Sequence, residues 1–219
     1  YHVMNNARVI QLRSGRLLAP VATTRQVGTK NDDFKTTVYF SDDDGRTWKR
    51  GRTSLSAPKR GAMEPGLIEL KDGRVQQIIR TQTGFIWVSF SIDGGDTWSE
   101  AQPSEIVSPE SPATITRIPG SGHWLLVLNP SVVWGNPERT HFGANHGGPR
   151  RPFVAVVSRD EGKTWSEPRV IESDPAFAHA YTSITFDKGR ALLSYYEYSE
   201  KTKMISFKFK SLPVEWLDR

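Results

Sequence analysis

Ser91-Ile92-Asp93-Gly94-Gly95-Asp96-Thr97-Trp98 decides how this chain is read, because its pattern occurs three times. Ser41-Asp42-Asp43-Asp44-Gly45-Arg46-Thr47-Trp48 precedes it and Ser158-Arg159-Asp160-Glu161-Gly162-Lys163-Thr164-Trp165 follows it; all three satisfy S-x-D-x-G-x-T-W. Five fixed positions matched three times in 219 residues make a repeat. The starts, at Ser41, Ser91 and Ser158, lie 50 and 67 residues apart, in the range of blade-sized β units. The motif has the chemistry of a tight hairpin. The Asp carboxylate accepts backbone N–H groups of the turn, Gly supplies positive φ, and Trp covers the turn from its apolar side. Asp43, Asp93 and Asp160 are therefore read as turn-formers rather than catalytic groups.

The flanking sequence is strand-like. Before the second motif come residues 66–70, an Asp72-Gly73 turn, and the runs 75–80 and 85–91, rich in β-branched and aromatic residues. Nothing reads as a helix longer than two turns. Aligned on their turn glycines, four such units start near Asn6, Glu64, Ser111 and Tyr181. The last runs through 184–186, 191–198 and 204–209 without an Asp motif. Strand, turn, strand, loop, strand, Asp-motif turn, strand describes a four-stranded antiparallel blade. The expected fold is an all-β propeller, one domain spanning residues 1–219.

Composition narrows the class. Hydrophobic residues make up 37% and charged residues 24%, with 18 Gly, 14 Pro and 7 Trp, which excludes a disordered tail, a collagen-like repeat and a coiled coil. No run approaches the roughly 18–20 apolar residues of a membrane span, so no membrane partner is expected. With no Cys, disulfide frameworks, thiolate zinc sites and cysteine nucleophiles are excluded. The net charge of +5 is spread along the chain without a K/R-rich block, so no nucleic-acid partner is expected, and the charge fits a small acidic ligand or a merely solvated basic surface equally. His141 and His146 lie five apart on a Gly-rich loop, but no carboxylate or third His stands at ligand spacing; neither a metal nor a cofactor is expected.

Blade geometry says where a ligand site lies. In a four-stranded meander the start of strand 1 and the strand 2–3 connection share one face, opposite the strand 3–4 turn that holds the Asp motif. The alignment places Asn6, Glu64, Ser111 and Tyr181 at the first position, and Ala22, Arg80, Asn129 and Tyr196 at the ends of strand 2. The third unit's 2–3 connection is long, residues 130–151, and carries Trp134, His141, Asn145, His146, Arg150 and Arg151. Loops of that length in compact domains are more often functional than idle.

The three motifs resemble the Asp boxes of the sialidase (neuraminidase) superfamily, the BNR-repeat proteins, and the resemblance covers essentially the whole chain. It implies a glycoside hydrolase acting on a terminal acidic sugar. Arginines suit such a substrate because a planar guanidinium grips a carboxylate through two N–H bonds. A tyrosine hydroxyl activated by a glutamate avoids the repulsion that an anionic nucleophile would meet, and sialidases are the tyrosine exception among glycosidases. On this resemblance Tyr181 is the nucleophile and Glu64 its activator, close enough to hydrogen-bond. Arg80 and Arg150, with Arg151 beside it, hold the carboxylate, and Asn6, Ser111, Asn129 and His146 line the pocket.

The departures are specific. Sialidase propellers have six blades and four are counted here. The family's early F/Y-R-I-P arginine and acid/base Asp have no match, since Asp32 and Asp33 lie in the wrong blade. The chain is expected to be a fragment lacking N-terminal blades, inactive or weakly active alone, and prone to self-association through bare blade flanks. It shows no signal peptide; the resemblance favours a secreted or periplasmic parent. A non-catalytic carbohydrate-binding propeller, or a rhamnosidase or uronate lyase relative, are the alternatives.

Overall fold

A computed structural model describes residues 1–27, 32–130 and 149–218. It consists of two compact units, Tyr1–Ile106 and Val107–Arg219. Among the described residues secondary structure is almost entirely β, with one short helix at the end of the chain. No helix is long and apolar enough to cross a membrane.

The first unit begins with β1 (His2–Val3), β2 (Ile10–Gln11), β3 (Leu17–Thr23), β4 (Lys35–Ser41) and β5 (Lys49–Arg50). β1 and β2 both pair antiparallel with β3, at its two ends: His2 lies opposite Thr23 and Ile10 opposite Leu18. They are two pieces of one first strand, interrupted by a turn containing Asn5, Asn6 and Ala7, where Ala7 takes φ 53°. The next sheet runs in the order β6 (Met63–Glu69), β7 (Val75–Arg80), β8 (Phe85–Ser91), β9 (Gln102–Val107). β7 is buried along almost its whole length, Gln77 and Arg80 included. Leu18, Val38, Phe40, Leu67, Val75, Ile79 and Trp98 pack together as the core of this unit.

The second unit repeats the plan. β10 (Thr114–Arg117), β11 (Trp124–Leu128), β12 (Phe153–Ser158) and β13 (Arg169–Glu172) form a four-stranded antiparallel sheet. β14 (Phe177–Asp187), β15 (Arg190–Ser199) and β16 (Ile205–Pro213) form a three-stranded one, followed by α1 (Val214–Leu217). Leu125, Val127, Phe153, Ala155 and Val157 pack against Ala191, Leu193, Tyr195 and Leu217 in the core.

The Asp motifs occupy the connections β4–β5, β8–β9 and β12–β13, each the third turn of its meander. At the second, Asp93 accepts the Thr97 N–H at 2.9 Å, the Thr97 hydroxyl at 2.5 Å, the Ser91 hydroxyl at 2.8 Å and the Asp96 N–H at 3.2 Å. The Gly95 N–H turns back to Ser91 Oγ at 2.8 Å, and the Trp98 indole donates to the Gly95 carbonyl at 3.0 Å. Asp43 and Asp160 repeat the pattern, receiving both Thr donors at 2.6–2.8 Å. Thr47 and Thr164 hydrogen bonds hold these two carboxyls down at a pKa of about 2. In each motif the aspartate is thus held by the Ser and Thr of its own turn.

Candidate functional site

In β6 and β14 the strand carries an irregularity instead of starting at the expected residue. The β6–β7 register shifts between Met63 and Gly66, and the β14–β15 register shifts between Ala180 and Ser183. Glu64 and Tyr181 sit in these bulges with φ 36° and 60°. Neither is glycine, so each holds a left-handed conformation that costs on the order of 1–3 kcal/mol and persists because its surroundings over-determine it. A bulge of this kind re-aims one side chain away from the pleat. The alignment expects both at the starts of their strands; Glu64 is second in β6, while Tyr181 is fifth in β14. Both lie inside a strand, β14 beginning at Phe177.

In the first unit, Arg80 at the end of β7 donates through Nη1 to Glu64 Oε2 at 2.5 Å, and the two side chains are 6% and 11% exposed. Arg8, in the turn between β1 and β2, is equally buried and interacts electrostatically with Glu64. Burial pushes the Arg8 guanidinium down to a pKa of about 10, with the Glu64 charge opposing. Asn6, expected to line the pocket, is exposed; its N–H donates to the Oδ1 of Asn5 at 2.9 Å, and Asn5 is the buried member of the pair.

In the second unit the expected residues converge around Arg150, which is 5% exposed. Its Nη2 donates to the Glu110 carbonyl at 3.0 Å and its Nη1 to the Tyr196 hydroxyl. The guanidinium carbon stands 5.4 Å from the centre of the Tyr181 ring and 5.9 Å from that of Tyr196, in the range of cation–π contact. The two tyrosine rings are 5.2 Å apart. Ser111 and Asn129 serve the scaffold of this corner: the Ser111 hydroxyl donates to Asn129 Oδ1 at 2.7 Å, and Asn129 Nδ2 donates to the Pro152 carbonyl at 3.1 Å. Arg151 points elsewhere, pairing with Glu200 at 3.3 Å. His146, like Trp134, His141 and Asn145, lies outside the described residues.

A second tyrosine–glutamate pair stands nearby. Tyr195 is 1% exposed and donates to Glu172 Oε1 at 2.5 Å. Burial, reinforced by the Glu172 charge, pushes its hydroxyl well above the usual phenol range, the opposite of what a nucleophile needs. Glu172 is in turn held by Lys210 at 2.8 Å and Lys208 at 3.3 Å, and Lys208 also reaches Glu197 at 2.9 Å. This is a charged staple joining β13 to β16 within the second unit. Tyr181 is half-buried and stacks near Tyr196, so the two tyrosines differ in environment.

Arg8 and Asn5, on either side of the Ala7 turn, are buried, and nothing in the sequence singled them out. Tyr196 had a signal, since it occupies the strand 2 level that Arg80 occupies in its own blade.

The model of the BNR repeat-like domain matches residues 2–194; the chain belongs to that family. It is 26% identical over 178 residues to the anhydrosialidase of the leech Macrobdella decora, covering 75% of this chain and 20% of that protein. Among solved structures, the NanB sialidase from Streptococcus pneumoniae superposes with a TM-score of 0.67 at 23% identity, over 94% of this chain and 30% of that one. A protein of unknown function from Dyadobacter fermentans gives a TM-score of 0.67 at 20% identity, over 95% of this chain and 53% of that one. These likenesses establish a sialidase-type β-propeller fold. The chain spans about a fifth of the curated relative's length.

Proposed function

We propose that this chain forms part of a sialidase-like retaining glycosidase that removes a terminal acidic sugar. One observation supports this reading above the others. Glu64 and Tyr181 occupy matching strained bulges in the first strands of two blades, each beside a deeply buried arginine, Arg80 and Arg150.

In the proposed reaction the Tyr181 hydroxyl oxygen bonds to the anomeric carbon while its proton passes to Glu64. The glycosidic C–O bond breaks, and the leaving oxygen takes a proton from a general acid. Water then attacks the same carbon from the opposite side, and the tyrosine leaves, so configuration is retained. The arginines hold the sugar carboxylate throughout. The role of general acid is not assigned to a residue of this chain, and such a group contributes ~10²–10⁴ in rate; turnover of a natural sialoside by the chain alone is accordingly low.

A 2,3-difluorinated sialic acid tests the proposal, because fluoride departs without a general acid and the glycosyl–enzyme bond then accumulates. Mass spectrometry should find the adduct on the peptide containing Tyr181, and Tyr181→Phe should abolish it. Glu64→Gln should slow labelling by roughly 10²-fold or more. Binding without an adduct would support a carbohydrate-binding propeller instead, and labelling that survives Tyr181→Phe would refute the nucleophile assignment.

A further inference from the structure

His179 stands two residues before Tyr181 in β14 and has no part in the reaction above. It is 1% exposed. Its ring stacks on Phe153 at 6.1 Å and meets Tyr195 edge-on at 5.9 Å, a place that an apolar ring would fill. Instead the imidazole donates through Nε2 to Glu197 Oε2 at 3.0 Å, and Glu197 is itself paired with Lys208 at 2.9 Å. Nδ1 finds no partner among the described residues. A buried ring nitrogen left without a partner is costly, so packing does not account for a histidine here. The directed bond to Glu197 does.

That bond acts on the bulge. Along β14 and β15, His179 pairs with Glu197 and Ala180 with Tyr196, and the next pair is Ser183 with Ser194. Three steps on one strand thus match two on the other, and the extra residue falls at Tyr181 or Thr182. Side chains alternate between the faces of a strand, so a bulge displaced by one residue re-aims its neighbours. Displacement toward His179 would take its ring off Glu197 and turn Tyr181 from Tyr196, whose ring lies 5.2 Å from its own. The His179 main-chain N–H also donates to the Arg150 carbonyl at 3.0 Å, tying the bulged strand to the arginine that faces both tyrosines.

We propose that His179 is a positioning residue: its bond to Glu197 fixes the bulge that aims Tyr181. The inference rests on the reading of Tyr181 as nucleophile and deepens it by the residue that sets the tyrosine's direction.

Hydrogen exchange in the ligand-free protein tests the bulge, and labelling with the 2,3-difluorinated sialic acid tests the chemistry. His179→Phe keeps an aromatic ring but removes the donor to Glu197. His179→Asn is too short to reach Glu197, whereas the longer amide of His179→Gln can donate to it. Exchange across 178–184 should quicken roughly tenfold in the Phe and Asn variants and return toward wild type in the Gln variant. The saturating rate of labelling at Tyr181 should fall roughly 10–100-fold in the first two, since a misplacement on the order of 1 Å costs about that much. The half-saturating concentration should stay within about threefold, because the main-chain bond to Arg150 survives the substitution. Thermal melting identifies the folded variants, and the Asn and Gln pair decides if His179→Phe does not fold. Wild-type labelling in a folded Phe or Asn variant would overturn the proposal, as would Asn and Gln variants that behave alike. Wild-type protein that forms no adduct would refute the nucleophile reading, and exchange at 178–184 would still decide whether His179 fixes the bulge.

Discussion

Replacing Asp93 by Ala removes the acceptor around which its turn is built. Four donors converge on this carboxylate, two from Thr97 and one each from Ser91 and Asp96, at 2.5–3.2 Å. At about 0.5–1.5 kcal/mol net for each bond, their sum would be roughly 2–6 kcal/mol. The side chain is 34% exposed, so water replaces part of what is lost, and the expected destabilisation is roughly 1–3 kcal/mol. For a chain of this size that corresponds to a fall in Tm of about 2–4 °C per kcal/mol. Asp93→Asn keeps one acceptor oxygen and should lose about half as much. Urea unfolding followed by tryptophan fluorescence measures both, since Trp98 donates to Gly95 within the same turn. Sugar affinity in the folded protein should stay within about twofold, because the Asp motif and the site lie at opposite ends of the blade. Equal loss from Ala and Asn, or loss of binding with an unchanged Tm, would refute the reasoning.

The staple around Glu172 makes stability depend on pH. Burial alone would raise its pKa, but hydrogen bonds from Lys210, Tyr195 and Lys208 hold it at about 2, below its ordinary 4.5. Its stabilising contribution is present above about pH 4.5 and fades as pH falls toward 2; the stability gap between wild type and Glu172→Gln should be wide at pH 7 and narrow at pH 3, and a gap that does not change would count against it. Along β16, Ile205, Phe207 and Phe209 are 63%, 88% and 69% exposed, an apolar row on an outer strand of the kind that drives association. The chain is expected to self-associate in light scattering, with Phe207→Ser and Phe209→Ser together shifting it toward monomer; a wild-type chain that stays monomeric at high concentration would contradict this.

The Asp motif could be read from sequence because its physics is local. Ser, Asp, Gly and Thr within eight residues satisfy one another's hydrogen bonds, so spacing alone implies the turn, and the repeat of turns implies the blades. The strand run 153–158 was equally plain, since a central strand buried on both faces is almost wholly apolar. The levels of Glu64, Arg80 and Tyr181 in their blades followed from counting outward from the turns. What the tertiary structure alone decided is conformation and convergence. Positive φ at Glu64, Tyr181 and Ala7 leaves no mark in sequence, because these residue types do not prefer it; the surrounding sheet imposes it. The choice of Arg150 over Arg151 depended on which side of one strand end each faces, toward Tyr181 and Tyr196 or toward Glu200. Arg8, 56 residues from Glu64 in the chain, is buried within reach of the Glu64 charge, a long-range neighbourhood that no local pattern encodes.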